Sequence, residues 1–174
     1  MKTRRIASAI ALVTAAVVAL VVIGAAMSSS PKLSATPVFK LRLKPSEEVP
    51  RIKELRADAV GSLTFDLVRD GSGAITSGEV IFYVNYDFPG SVDITGLHVH
   101  QERKGKNGAV VINSGVTTFS DADGDGNITT VVAGVAPALL QAILNSPRDY
   151  YVNLHTTVYP GGALRDQLRS PQKR

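Results

Sequence analysis

Three histidines are the residues of this chain with the clearest potential for chemistry. His98 and His100 stand two positions apart in one apolar segment, and His155 lies in a second apolar segment further along the chain. A His-x-His pair combined with a distant third histidine is a known way to bind zinc or copper through imidazole nitrogens. Two interpretations stay open: a copper or zinc site formed by these three residues, and three structural histidines that bond to loop backbone.

A second set of candidate ligands lies in an acidic loop that resembles the start of an EF-hand calcium loop. Position 12 of that pattern is Val132 instead of a bidentate Glu, and no helices are predicted on either side, so a true EF-hand is not expected. The alternatives are a weak calcium site, with affinity of roughly 0.1–1 mM, and a solvated turn. The candidate calcium ligands are Asp121, Asp123, Asp125 and Asn127.

The remaining composition excludes several classes of chemistry. The chain has no cysteine, which rules out disulfides, thiolate zinc sites and a cysteine nucleophile. It has no glycine loop of the phosphate-binding type, and no catalytic residues are assigned. The sequence therefore favours a protein that is not an enzyme.

The positive charge of the chain is concentrated at its N-terminus. The formal net charge is +4, but residues 1–27 carry three basic residues and no acidic one, which leaves 16 basic and 15 acidic residues for the rest. A nucleic-acid partner is therefore not expected. Residues 6–26 are uncharged and follow this basic start, as in an export signal.

Two fates of this export segment are compatible with the sequence. Cleavage near Gly24-Ala25-Ala26 would release a secreted or periplasmic protein. Without cleavage, residues 6–26 are long enough to anchor the protein in a membrane, since about 20 apolar residues span a bilayer as a helix. The predicted organisation is a signal peptide or anchor at 1–27, a linker at 28–37, a β-domain at 38–169 and a C-terminal tail at 170–174.

The elements that must position the histidines are predicted to be β-strands, because apolar and polar residues alternate with a period of two. On such strands His98 and His100 share one face, while Leu97 and Val99 take the core face. The same alternation assigns Val152 and Leu154 to the core and His155 to the outer face. Strands are predicted at 38–43, 61–68, 80–86, 94–100, 109–113, 127–132, 150–156 and 163–168.

One segment departs from this period. Apolar residues between 136 and 144 recur at helical spacing, and Pro147 follows them, which predicts one short helix. About eight short strands with turns between them are typical of an antiparallel β-sandwich or Greek-key barrel. The predicted fold is therefore mainly β, with a short helix at about 136–144.

Two segments around the histidines resemble the two halves of the CHRD domain signature, a family named for chordin and widespread in microbial exported proteins. The first is Gly96-Leu97-His98-Val99-His100, followed by a hairpin that contains Asn107-Gly108. The second spans 150–156, a Pro-Gly-Gly turn at 160–162 and a closing strand. The resemblance covers about 38–169, and the residues that carry the pattern are Glu48, Pro50, Asn153, Thr156, Gly161, Gly162, Arg165 and Gln167.

The resemblance implies a β fold and an exported location, but no settled reaction. Three positions depart from the family pattern: Arg51 replaces a common proline, Ala163 replaces a frequent Glu, and Asp166 replaces the usual Gly. A weaker, local similarity links the strands of His98, His100 and His155 to the copper-ligand strands of copper/zinc superoxide dismutases. The chain has no further histidine for a zinc or bridging ligand of such an enzyme.

The functional expectation is an extracytoplasmic CHRD-type β-domain that acts as a binding or surface-structural module. The first alternative is a copper or zinc protein that uses the three histidines. The second alternative is a surface polymer in which the segment 28–38 pairs with the sheet edge of a neighbouring copy. An extracellular protein or a second copy of the chain is the expected partner.

Overall fold

The structure, a computed structural model, describes residues 36–173. The predicted signal or anchor at 1–27 and the linker up to residue 35 lie outside the described residues, so both stay predictions. Within 36–173, no helix is long and apolar enough to cross a membrane.

Within residues 36–173, ten strands form two antiparallel sheets, and the alternation of apolar and polar residues predicts eight of these strands. The first sheet has the strand order β10-β1-β2-β3-β7. Its centre is the long hairpin of β2 and β3, which pair along almost their whole length with one bulge near Val68. The strands of this sheet are β1 (Pro37–Leu43), β2 (Asp58–Arg69), β3 (Ile75–Asp87), β7 (Asp125–Val132) and β10 (Gln172–Lys173).

The second sheet carries the histidines. Its order is β5-β4-β8-β9, and a short additional strand, β6, also pairs with β4. The strands are β4 (Val92–Gln101), β5 (Ala109–Asn113), β6 (Phe119–Asp121), β8 (Tyr150–Thr156) and β9 (Leu164–Gln167). Backbone hydrogen bonds in both directions between Lys44 and Arg165 join the end of β1 to β9 and so link the two sheets at one corner.

A single apolar core fills the space between the sheets. It combines residues of the first sheet, such as Phe39, Phe65 and Phe82, with residues of the second, such as Leu97 and Leu154. Because both faces that line this core belong to residues 36–173, the β-domain contains its own hydrophobic core and is a self-contained folding unit.

The predicted helix is present as α1 (Pro137–Asn145), with Leu140 and Ile143 buried against the core. Proline at its first position is favourable, because the missing N–H would have no intrahelical partner there. A 3-10 turn at Pro147–Asp149 then leads into β8. These features confirm a mainly β fold with one helix.

The structure adds two short strands that the sequence does not predict, β6 and β10. Residues 172 and 173, expected in a C-terminal tail, pair with Val38 and Pro37 of β1. Strands of two or three residues contain too few positions to show an alternation. The same pairing means that Pro37 and Val38, part of the segment considered for strand exchange, are bonded within their own chain.

Candidate metal centre

Strands β4 and β8 lie side by side and determine where the histidines point. In their antiparallel register, Gly96 lies opposite His155, His98 opposite Asn153, and His100 opposite Tyr151. The apolar residues that alternate with the histidines are fully buried in the core, which confirms the predicted strand register. These residues are Leu97, Val99, Val152 and Leu154.

The three imidazole rings meet on the outer face of the second sheet. The ring centroid of His155 lies 4.8 Å from that of His98 and 5.5 Å from that of His100. One nitrogen from each ring lies within 4.8 Å of the others, and no other group of three or more metal-ligating side chains is so placed within 36–173. The structure therefore brings together all three residues that the sequence singles out as candidate copper or zinc ligands.

Gly96 makes this convergence sterically possible. Its position on the outer face, two residues before His98 and opposite His155, is occupied by the imidazole of His98. A Cβ atom at residue 96 would lie 2.8 Å from Cε1 of that ring, which is shorter than van der Waals contact. The glycine of the Gly-x-His-x-His segment thus leaves the space that lets the His98 ring approach His155.

Hydrogen bonds from two loops fix the orientation of the other two rings. Nδ1 of His100 lies 3.0 Å from the carbonyl oxygen of Gly108, and Nδ1 of His155 lies 3.0 Å from that of Pro160. A carbonyl oxygen only accepts, so each Nδ1 carries the proton and each Nε2 carries a lone pair when the ring is neutral. These two Nε2 atoms face each other at 3.4 Å.

Burial keeps the rings neutral at physiological pH. Desolvation, followed by the proximity of His155 and His100, lowers the pKa of His98 to about 4. Desolvation also lowers the pKa of His100 and His155, against a smaller opposing effect of their hydrogen bonds to backbone carbonyls. The two facing Nε2 atoms are then both acceptors and form no hydrogen bond with each other. Nδ1 of His98 is also buried and has no partner among the described residues.

A second layer of polar residues lies on the same outer face, and Arg165 is at its centre. Its guanidinium is buried and lies 3.4 Å from the ring centroid of Tyr151. On its other side, the Tyr151 ring stacks on His100 at 4.8 Å with an interplanar angle of 8°. Alternation along β8 places Tyr151 on the same face as His155, and its contact with His100 becomes visible only in the folded structure.

The family motif residues Glu48, Asn153 and Gly162 form one packed unit beside the histidines. The carboxyl group of Glu48 is buried and lies near Asn153 and Arg165. Desolvation outweighs the effect of these neighbours and raises the pKa of Glu48 from 4.5 to about 7. Gly162 has a φ of 128°, and a Cβ there would lie 2.3 Å from Nδ2 of Asn153. The Pro-Gly-Gly turn therefore needs glycine both for its backbone and for contact with the Asn153 amide.

Other motif residues tie loops to the second sheet. Gln167 donates to the carbonyl oxygens of Glu102, Arg148 and Tyr150. The Thr156 hydroxyl accepts from the N–H of Tyr159, in the loop that ends at Gly161 and Gly162. Pro50 follows Val49, whose carbonyl oxygen accepts from Asn107. These contacts hold in place the loops that cover the outer face.

Asp166, which stands where the family pattern usually has glycine, forms contacts between β9 and its neighbours. One carboxylate oxygen of Asp166 accepts from the backbone N–H of Arg42 at 2.7 Å, and the other lies 3.7 Å from the Arg169 guanidinium. The carboxylate thus joins β9 to β1 at the corner where the two sheets meet. The substitution of the usual glycine leaves the closing strand intact.

The candidate calcium ligands lie at the end of β6, in the turn that follows it and at the start of β7. Asp121 already accepts hydrogen bonds from the Tyr86 hydroxyl and from the N–H groups of Asp123 and Gly124, and the first of these is the main reason why its pKa is lowered. Asp125 and Asn127 belong to β7. A calcium site at these residues stays a prediction.

Two residues that carry the family pattern have roles in the candidate centre that the sequence does not predict: Gly96 accommodates the His98 ring, and Gly108 orients His100. The signal for Gly96 was its position two residues before His98 on the same strand face. No feature of the sequence predicts the contact of Gly108 with His100, because a backbone carbonyl contact depends on how the loop folds over the sheet.

Comparison with known proteins identifies the family. The profile of the CHRD domain matches residues 39–168. This range contains all three histidines and every strand of both sheets except β10 and the first two residues of β1. No curated protein and no solved structure matches the chain, and the local similarity to superoxide dismutase strands gains no support from these comparisons. The family match covers well over half of the 174 residues, and the chain therefore belongs to the CHRD domain family.

Proposed function

We propose that this CHRD domain is an extracytoplasmic module that binds one copper or zinc ion through His98, His100 and His155. All three side chains present neutral imidazoles on one face, and neutral imidazole is the form that binds these metals. The group contains no carboxylate, so all three candidate ligand atoms are imidazole nitrogens.

The observation that carries this proposal is the 3.4 Å separation of the two facing Nε2 atoms. Two nitrogens that each lie 2.0–2.1 Å from a tetrahedral zinc ion are about 3.4 Å apart. Two lone pairs held at this distance in a dry environment repel each other, whereas a cation between them is attracted to both. The fixed Nδ1–H tautomers also match metal-binding histidines in general, in which the ring nitrogen that does not bind the metal usually donates its proton to a carbonyl or carboxylate oxygen.

The third ligand requires a small adjustment. The widest separation among the three ligand nitrogens, 4.8 Å, exceeds tetrahedral spacing by about 1.4 Å. Rotation of the His98 ring can close this gap, because Nδ1 of that ring has no partner among the described residues. Three protein nitrogens leave one position of a tetrahedral ion open for water or an external ligand.

The extracytoplasmic location is supported by the sequence of the N-terminus. A basic start followed by the uncharged residues 6–26 is typical of an export signal, and it orients the following domain away from the cytoplasm. The intact mass of the native protein tests this part: a start near Ser28 means cleavage, a start at Met1 with membrane association means an anchor, and a soluble protein that starts at Met1 contradicts export.

Titration calorimetry tests the metal proposal. Residues 28–174, purified without a histidine tag and stripped of metal, should bind one equivalent of zinc or copper(II). Replacement of His100 or His155 by Ala should lower the affinity at least tenfold, because removal of a ligand costs more than the roughly 10–100-fold loss seen for outer-shell partners. Gln101→Ala, an exposed change on the same strand, is the matched control and should bind as the wild type does. Absence of binding, or equal affinity in His100→Ala, contradicts the proposal.

A further inference from the structure

We propose that Arg165 is a positioning residue of the metal centre. It holds the loop between β4 and β5 in place, and the Gly108 carbonyl of that loop bonds Nδ1 of His100, so that Nε2 of the same ring points toward the ion. The predicted change in metal affinity rests on the proposed function. The contacts of Arg165 from which the role is inferred are those of the metal-free protein. Arg165 itself does not touch the ion.

The contacts of Arg165 explain how one side chain controls this loop. Its Nη2 donates to the carbonyl oxygens of Lys106 at 2.9 Å and Arg103 at 3.5 Å, and its Nη1 donates to Oδ1 of Asn107 at 3.2 Å. All three acceptors lie in the loop of residues 102–108, hereafter the β4–β5 loop. The planar, multidentate guanidinium makes these bonds at once, which an ammonium group on a flexible chain does not.

The β4–β5 loop transmits this restraint to His100 through Gly108. The Gly108 carbonyl accepts the proton of His100 Nδ1, and the Gly108 N–H donates to the hydroxyl of Tyr151 at 3.1 Å. Tyr151 in turn is sandwiched between the His100 ring and the Arg165 guanidinium. Arg165 therefore restrains His100 both through the loop backbone and through the stacked ring.

His155 provides an internal reference for this inference. Its Nδ1 proton is held by Pro160, which lies in the loop between β8 and β9 and not in the β4–β5 loop. Loss of Arg165 should therefore disturb the tautomer of His100 and leave that of His155 unchanged. A purely structural role for Arg165 would loosen both rings together.

The charge of Arg165 makes the expected change in metal affinity diagnostic. A buried cation near a metal site repels the ion, so removal of the charge alone would strengthen binding. Arg165→Gln should instead weaken binding about 10–100-fold, the range found for outer-shell partners of metal ligands. Weaker binding after loss of a positive charge therefore cannot be an electrostatic effect, and the comparison of His100 with His155 separates lost positioning from a general loosening of both rings.

Long-range nitrogen–proton NMR spectra of the metal-free domain, residues 28–174, test the inference through the tautomers. In the wild type, His100 and His155 should both carry the proton on Nδ1. In Arg165→Gln, His100 should become a mixture of tautomers while His155 stays unchanged. Arg103→Gln is the control. Arg103 lies in the same loop, but its exposed side chain bonds to Asp149, and only its backbone carbonyl contacts Arg165. This change should leave the tautomers of both rings unchanged.

Two further variants keep the test decisive if Arg165→Gln does not fold. Arg165→Lys preserves the charge, and Asn107→Ala removes one acceptor of the guanidinium and one contact to Val49. Both should shift the His100 tautomer in the same direction. An unchanged His100, or equal changes at His100 and His155, overturns the inference. Failure of the wild type to bind zinc would contradict the proposed function, while the tautomer comparison would still decide the role of Arg165.

Discussion

At the residue scale, the outer face of the second sheet carries four buried polar side chains: His100, Asn153, His155 and Arg165. Apolar cores normally exclude such groups, since each buried polar atom without a partner costs free energy. Of the four buried side-chain atoms without a partner among the described residues, three lie beside the histidines, at Glu48, His98 and Asn153, and the fourth is Nε of Arg69 in β2. The three atoms beside the histidines mark this face as the candidate binding site.

Glu48 should make the stability of the domain depend on pH. Burial raises its pKa from 4.5 to about 7, so the folded protein holds this proton more tightly than the unfolded chain. The stabilisation from the protonated carboxyl group is complete below the lower value and is lost as the pH rises through the higher one. Between pH 5 and 8, the loss should be roughly 2–3 kcal/mol.

Urea unfolding at both pH values measures this effect. Glu48→Gln keeps the shape of the neutral carboxyl group but does not titrate, so the free energy of unfolding of the wild type relative to this variant should fall by roughly 2–3 kcal/mol from pH 5 to 8. Glu79→Gln, an exposed change in β3, is the control for loss of a carboxylate. A difference between wild type and Glu48→Gln that does not vary with pH would show that Glu48 titrates normally.

At the element scale, strand alternation explains why part of the site could be predicted from the sequence. The period of two sends Leu97 and Val99 inward, so His98 and His100 must share the outer face. Neighbouring strands with the same alternation add His155 to that face. The periodicity therefore predicts which face each side chain occupies, and the structure supplies which strands are neighbours.

The loops above that face could not be predicted in the same way. The contacts of Gly108 with His100 and of Pro160 with His155 come from backbone carbonyls, which are identical in every residue. Only their positions in the folded chain give them a role. The resemblance to the CHRD family identifies Arg165 as a motif residue, but its bonds to the β4–β5 loop become visible only in the structure.

Gly96 offers a direct test of how β4 shapes the site. In Gly96→Ala the new Cβ would collide with the His98 ring, which can swing away because it is the end of a side chain. The domain should stay folded, with a loss of about 1–3 kcal/mol in unfolding free energy. Its zinc affinity, measured by calorimetry, should fall about tenfold, because a displaced outer ring weakens coordination.

Gly71→Ala is the matched control for this change. A Cβ at that turn position meets no atom within 4 Å, so zinc affinity should equal that of the wild type. Wild-type affinity in Gly96→Ala would show that His98 does not need its present position, and would remove it from the ligand set.

At the scale of the whole molecule, the two faces of the second sheet have separate tasks. The inner face contributes to the shared apolar core and so stabilises the sandwich. The outer face holds the histidines beneath loops that are tied down by Arg165, Asn107 and Gln167. A rigid sheet under fixed loops is the arrangement that the proposed metal site requires, because it holds the three candidate ligand side chains in place.

The most direct test of the central claim is a crystal structure of residues 28–174 grown with zinc, with diffraction data collected on both sides of the zinc absorption edge. The strongest anomalous peak should lie between His98, His100 and His155, about 2.0–2.1 Å from one nitrogen of each ring. The peak should vanish in crystals of the His100→Ala variant. Absence of a peak at the three histidines, or a single peak at the acidic loop of residues 121–127 instead, would contradict the account.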